Sequence, residues 1–204
     1  MENIDTENSL YAANVIEFAT VAVETCILLE NASSFSKVEF VESSIKILPL
    51  LYMKTLQLDV TTYADADSFI ERFVTEQDYL RVKTEVEALL GADDSFLEVF
   101  HPDMPYSDTP IAVFMSENLA DIYQELKDFA ANFQHGVDEV MRSALLVAVE
   151  SFAEHWGQKL LNVLRAMHAV RYADDFGHDN DNTESENYAK LDRNSFLSFL
   201  SDDE

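Results

Sequence analysis

Glycine, proline and cysteine are all scarce in this chain: four, four and one among 204 residues. The glycines stand singly at positions 91, 136, 157 and 177. There is therefore no G-x-G-x-x-G, no G-x-x-x-x-G-K-[ST] and no G-x-S-x-G, so the common phosphate cradles and the nucleophile elbow are missing. No H-E-x-x-H pair offers zinc ligands either. Cys26 has no second cysteine with which to form an internal disulfide. Basic residues are also few, with 13 Lys and Arg against 39 Asp and Glu and a formal net charge of −26 at pH 7. A surface of that sign repels phosphate backbones and anionic lipid, which argues against direct nucleic-acid binding and against a membrane partner. The opening MENIDTENSL has neither the basic nor the apolar segment of a signal peptide, so the expected compartment is the cytoplasm.

What the chain does have is 48% hydrophobic residues, including 14 Phe and 8 Tyr. That is a globular composition, and few Gly and Pro favour helices over a turn-rich β fold. Residues 15–29 are apolar enough to raise the question of a membrane span. Glu17 and Glu24 lie seven apart on one stripe, however, with Val15, Phe18, Ala19, Ala22, Cys26 and Leu29 opposite, the pattern of an amphipathic core helix. Cys26 then reads as a buried, inert thiol.

Ser36 and Glu39 form a capping box before Val38, Val41, Ile45, Leu48, Tyr52 and Leu56, at helical spacing. Pro49 is expected to kink or break that helix. Thr75 and Asp78 make a second box, with Val74 and Tyr79 as a hydrophobic staple and Gly91 as the stop. A short helix over about 67–73 and a turn over about 94–99 are expected around it. After a proline-rich loop from 100 to 115, Ser116 is expected to cap a helix. That helix would turn Leu119, Ile122, Tyr123, Leu126, Phe129, Ala130 and Phe133 inward and Glu117, Asp121, Glu125 and Asp128 outward. His135 and Gly136 end it, and the next helix, apolar almost all round from Val140 to Trp156, is expected to be central. It bends or restarts at Gly157, and a last helix carries Leu160, Val163, Leu164, Met167 and Val170. No strand alternation competes. The expected fold is a single-domain all-α bundle of about six helices over residues 1–172, followed by a flexible acidic tail over 173–204.

The segments VTEQDYLRVKTEVEALLG, EVFHPDMPYSDTPIAVFMSENLADIYQELKDF and WGQKLLNVLRAMHAV resemble those of a bacterial family of unknown function, a family of small acidic all-helical proteins. The resemblance runs over about residues 15–172. It implies the helical fold and a bacterial cytoplasmic setting, and brings no activity, ligand or catalytic residue with it.

Two regions could hold a site. In the loop, His101, Asp103, Tyr106 and Asp108 follow Glu98 closely, so an imidazole and several carboxylates could bind a divalent ion or act as acid and base if the prolines fold them inward. The commoner reading of such residues is turn capping. EVFH is a single Glu-x-x-His where a di-iron bundle needs two, and DNDNTESENYAK lacks the glycine and final glutamate of a calcium loop, so no metal and no cofactor are expected. The second region is the helix junction with Trp156, Gln158, Lys159 and Arg165. A helical projection places His168 inside the apolar arc and His155 near Ala144 and Ala148. A core histidine, a packing tryptophan and a solvated polar strip are the commoner readings there. The tail ends in an apolar group, Leu191, Phe196, Phe199 and Leu200, spaced like a docking helix for a partner groove or for the chain's own body. The preferred function is an interaction or adaptor module with a protein partner or self-association. The alternative is a small enzyme or ligand-binding protein with a pocket between the 100–115 loop and the helices around Trp156.

Overall fold

The computed structural model describes residues 10–98, 106 and 109–177. Within them the chain forms α1 (Ala13–Glu30), α2 (Lys37–Leu56), α3 (Glu76–Leu90), β1 (Ser95–Glu98), β2 (Ile111–Phe114), α4 (Met115–Gln134), α5 (Asp138–Ser151) and α6 (Gly157–Arg171). The architecture is an all-α bundle with one small antiparallel hairpin, β1 on β2. A π-turn over Phe152–Trp156 links α5 to α6.

Several helix ends follow from neighbouring residues. At α2 the Glu39 backbone N–H donates to Ser36 Oγ at 3.3 Å, and the Ser36 N–H donates to the Glu39 carboxylate at 3.1 Å. Thr75 and Asp78 repeat the exchange at α3. Each box satisfies two backbone groups that helix geometry leaves orphaned. Gly91 and Gly136 end α3 and α4 with φ of 58° and 68°, a region that side chains strain to enter. Pro49 lies inside α2 without ending it. Leu48 just before it and Leu51 two residues after it are fully buried, and burying two leucines is worth more than the one backbone bond that proline removes.

α4 is the element the others share, packing on α1, α3, α5 and α6. Phe129 of α4 meets Phe18 of α1 with ring centroids 4.8 Å apart. The expectation that α5 is central is corrected accordingly. Its apolar surface is used by α4, by a 3₁₀ turn at Val60–Tyr63 and by the π-turn. Cys26 lies wholly inside, as expected. Among the described residues, no helix is long and apolar enough to cross a membrane.

Other departures from the sequence reading share one cause, a distant partner overriding a local pattern. Residues 67–75 form no helix, because their backbone is held by α4 side chains. Phe73 and Val74 N–H donate to Asp128 Oδ1 at 2.7 and 3.0 Å, and Glu71 N–H donates to Asn132 Oδ1 at 3.2 Å. Asp128 is therefore buried and not on an outer stripe. The turn expected at 94–99 is instead strand β1, in register Ser95 to Phe114 and Glu98 to Ile111. Four-residue strands are too short for alternation to announce them. Ser116 does not cap α4 but is buried within its first turn, and both its N–H and its hydroxyl donate to the Asp94 carboxylate at 2.7 Å. His168 is exposed and lies against Tyr172, and His155 is exposed too. α6 packs on α2 and α4, so its buried stripe narrows to Gly157, Leu160, Val163, Ala166 and Met167, continuing from Trp156 of the π-turn. The extra residue in the π-turn displaces His155 from a uniform helical projection.

Candidate functional site

At the helix junction Trp156 is 1% exposed, donates its indole N–H to the Ala148 carbonyl at 3.1 Å, and meets Phe152 edge-on at 4.6 Å. Its polar group is satisfied and its ring packed on Phe152, the arrangement of a core anchor. Lys159 pairs with Asp121 Oδ2 while Tyr79 donates its hydroxyl to Asp121 Oδ1 at 2.9 Å, so α3, α4 and α6 meet at one carboxylate. Burial, reinforced by the bond to Asp121, pushes the Tyr79 phenol well above its ordinary range. It stays a donor and cannot serve as a base near neutral pH. Gln158 and Arg165 are exposed. The base of the 100–115 loop does reach α6, since Asn162 donates to Glu98 Oε1 at 2.7 Å. Tyr106 is 90% exposed. His101, Asp103 and Asp108 lie outside the described residues, as do Leu191, Phe196, Phe199 and Leu200.

The inner polar groups are equally committed. Lys127 bonds Glu30 Oε1 at 2.8 Å and Tyr123 donates to the same oxygen at 2.7 Å. Burial first, and then the Glu30 charge, push the pKa of both Tyr123 and Cys26 upward, so neither phenolate nor thiolate is accessible near neutral pH. Among the described residues, no three His, Cys, Asp or Glu side chains are grouped to hold a metal ion. All the basic residues of the described region except Arg165 pair with carboxylates, most of them across two elements: Lys54 with Glu17, Lys83 with Glu117, Arg72 with Glu125 and Asp128, Arg142 with Asp65.

Sequence reasoning missed a cleft between the 67–71 segment and the turn from α4 to α5. It encloses about 400 Å³, with Phe69, Ile70, Val137 and Val140 as apolar walls and Asp67, Glu71, His135 and Glu139 as polar ones. Asn132 and Ser143 line it more deeply. Asn132 is saturated, since its amide also donates to the Glu71 and Asp128 carbonyls at 2.8 Å each. That clamp shapes the cleft by holding the 67–75 segment against α4. One signal was available in the sequence: an unpartnered Phe69 among polar residues, in a stretch read as a weak helix.

These features define a class, an acidic all-α bundle tied together by inter-helix ion pairs. The family described as Domain of unknown function (DUF5063) matches residues 9–173, and the chain belongs to it. The crystal structure of protein BF1032 from Bacteroides fragilis, a structural-genomics target, is similar. It is 38% identical with a TM-score of 0.70, over 81% of this chain and 96% of that one. No curated protein matches the chain.

Proposed function

We propose that this chain is a protein-binding module of the cytoplasm that works on a basic partner protein and not on nucleic acid. The observation that carries this reading is how the polar groups are used. Most cations of the described residues are consumed as links between its own elements, so the charge it turns to solvent is largely uncompensated carboxylate. Its one thiol, Cys26, is buried, and the phenols of Tyr79 and Tyr123 are already bonded to carboxylates. Such a surface attracts and orients a basic protein. In this reading Leu191, Phe196, Phe199 and Leu200 of the tail supply a docking peptide, and removing residues 173–204 weakens association without unfolding the helices. The alternative, a pocket between the 100–115 loop and the helices around Trp156, has less behind it, because the indole is sealed in the core and Lys159 is neutralised.

The test is purification of the full chain from its native cells followed by native mass spectrometry. The expected result is a protein bound in fixed stoichiometry and released as salt is raised. A tightly held small molecule, with no protein beside it, overturns the module in favour of a ligand-binding protein.

A further inference from the structure

We infer that the cleft between the 67–71 segment and the α4–α5 turn receives an arginine side chain, with an apolar neighbour, from a basic segment of a partner protein. This assignment rests on the reading of the chain as a protein-binding module. It adds where the partner docks and what chemistry is recognised there.

The first ground is charge. Asp67, Glu71 and Glu139 surround one hollow, and none of the three has a cationic partner among the described residues. The nearest sequence neighbours that could neutralise them are engaged elsewhere, Arg72 by Glu125 and Asp128 and Arg142 by Asp65 and the Thr62 carbonyl. In a chain whose described cations are nearly all paired, three carboxylates with no cation beside them, Asp67 accepting only the Phe69 N–H at 3.2 Å, form an electrostatic well for a cation from outside.

Ser143 supplies the second, independent ground. It is only 7% exposed, lines the cleft, and makes no hydrogen bond among the described residues. A serine inside a helix often bonds the carbonyl a turn earlier; this one does not, and its oxygen is not among the sealed, partnerless atoms of the described residues, Ser44 Oγ and Asn118 Nδ2. A hydroxyl that instead opens onto a hollow is placed to bond an incoming donor. Apolar surface gives the third ground: Phe69 and Val137 are 77% and 53% exposed at the mouth, above a floor that includes the buried Ile70.

These grounds together select the ligand. The carboxylates are not grouped closely enough for a metal ion, but a guanidinium spreads its charge over a plane with five donors and reaches separated acceptors. It is weakly hydrated and stacks on an aromatic face such as that of Phe69, which a compact ammonium does less well. A volume of about 400 Å³ suits one long side chain and part of a neighbour.

The test is titration of the ¹⁵N-labelled full chain with acetyl-Leu-Arg-Leu-amide, with its Lys and Glu counterparts, and with spermidine. The arginine peptide is expected to shift the amides of residues 67–71 and 132–143 saturably. The lysine peptide should bind more weakly and the glutamate peptide not at all. In the double variant Glu71→Gln/Glu139→Gln, affinity should fall about tenfold or more, as for loss of a charge-assisted contact. Both side chains are exposed, and an unchanged amide spectrum away from the cleft verifies the fold. Shifts spread over the whole acidic surface, or affinity that survives the double variant, overturn the assignment. So does spermidine binding as tightly as the arginine peptide, which would make this a site for free amines. If the cellular partner co-purifies undiminished with the double variant, the module reading stands and the cleft assignment alone falls.

Discussion

Replacing Gly157 by alanine isolates what the π-turn demands. The Gly157 N–H donates to the Phe152 carbonyl, five residues back, which brings the glycine close over that oxygen. A Cβ at position 157 would lie 2.5 Å from that oxygen and 2.9 Å and 3.0 Å from two carbons of the Phe152 ring. The ring has nowhere to retreat, packed edge-on against Trp156 at 4.6 Å and Tyr52 at 5.1 Å. Helix propensity alone favours alanine over glycine by about 1 kcal/mol. Forcing a methyl into a packed core costs about 1–3 kcal/mol, and here the upper part of that range, about 2–3 kcal/mol, applies because the nearest atom is backbone, which cannot rotate aside. The clash should outweigh the propensity gain, for a net loss of about 1–2 kcal/mol and a Tm lowered by roughly 2–8 °C in a chain of this size. Thermal unfolding followed by circular dichroism measures it. Pairing the change with Phe152→Leu should not restore stability, since the carbonyl remains. A Gly157→Ala variant as stable as the parent, or one rescued by Phe152→Leu, would refute the argument.

Asp128→Ala strands the Phe73 and Val74 N–H groups beside a buried helix and should cost about 3 kcal/mol or more in urea unfolding. Hydrogen exchange should show those two amides losing protection, and equal protection in parent and variant would count against the clamp. Asp94→Ala removes the carboxylate that receives both donors of Ser116 and should cost about 1–2 kcal/mol, read from the same urea midpoint. Cys26 and Tyr123 are held protonated by burial and by Glu30, so their stabilisation is complete below the unfolded values of about 8.5 and 10. Stability should fall as pH rises above about 8.5, because the unfolded chain releases these protons first. A urea midpoint that is flat from pH 8 to pH 10.5 would contradict this.

Much of the helical frame was legible in the sequence because its signals are local. Ser36 with Glu39 and Thr75 with Asp78 carry their partners three residues away, and Gly91 and Gly136 need only themselves. The cleft was not legible. It exists because Asp128 and Asn132, two acceptors that a helical projection assigns to solvent or leaves unassigned, hold backbone more than fifty positions earlier. Asp94 capping α4 across the hairpin is hidden for the same reason. Periodicity reports which side of a helix is apolar, and it is silent about a carboxylate buried to bind main chain.

Most of the basic residues of the described region tie one element to another, and this changes how freely different positions can vary. Lys127 or Lys159 exchanged for glutamate would put like charges together where helices meet, whereas Glu150, exposed on α5, can become glutamine with little consequence. Positions on the outside of the molecule should therefore divide by sign. The lysines and arginines that join two elements, Lys127 above all, should tolerate reversal of charge less well than exposed acidic positions do, and an abundance-based mutational scan would reveal that asymmetry directly.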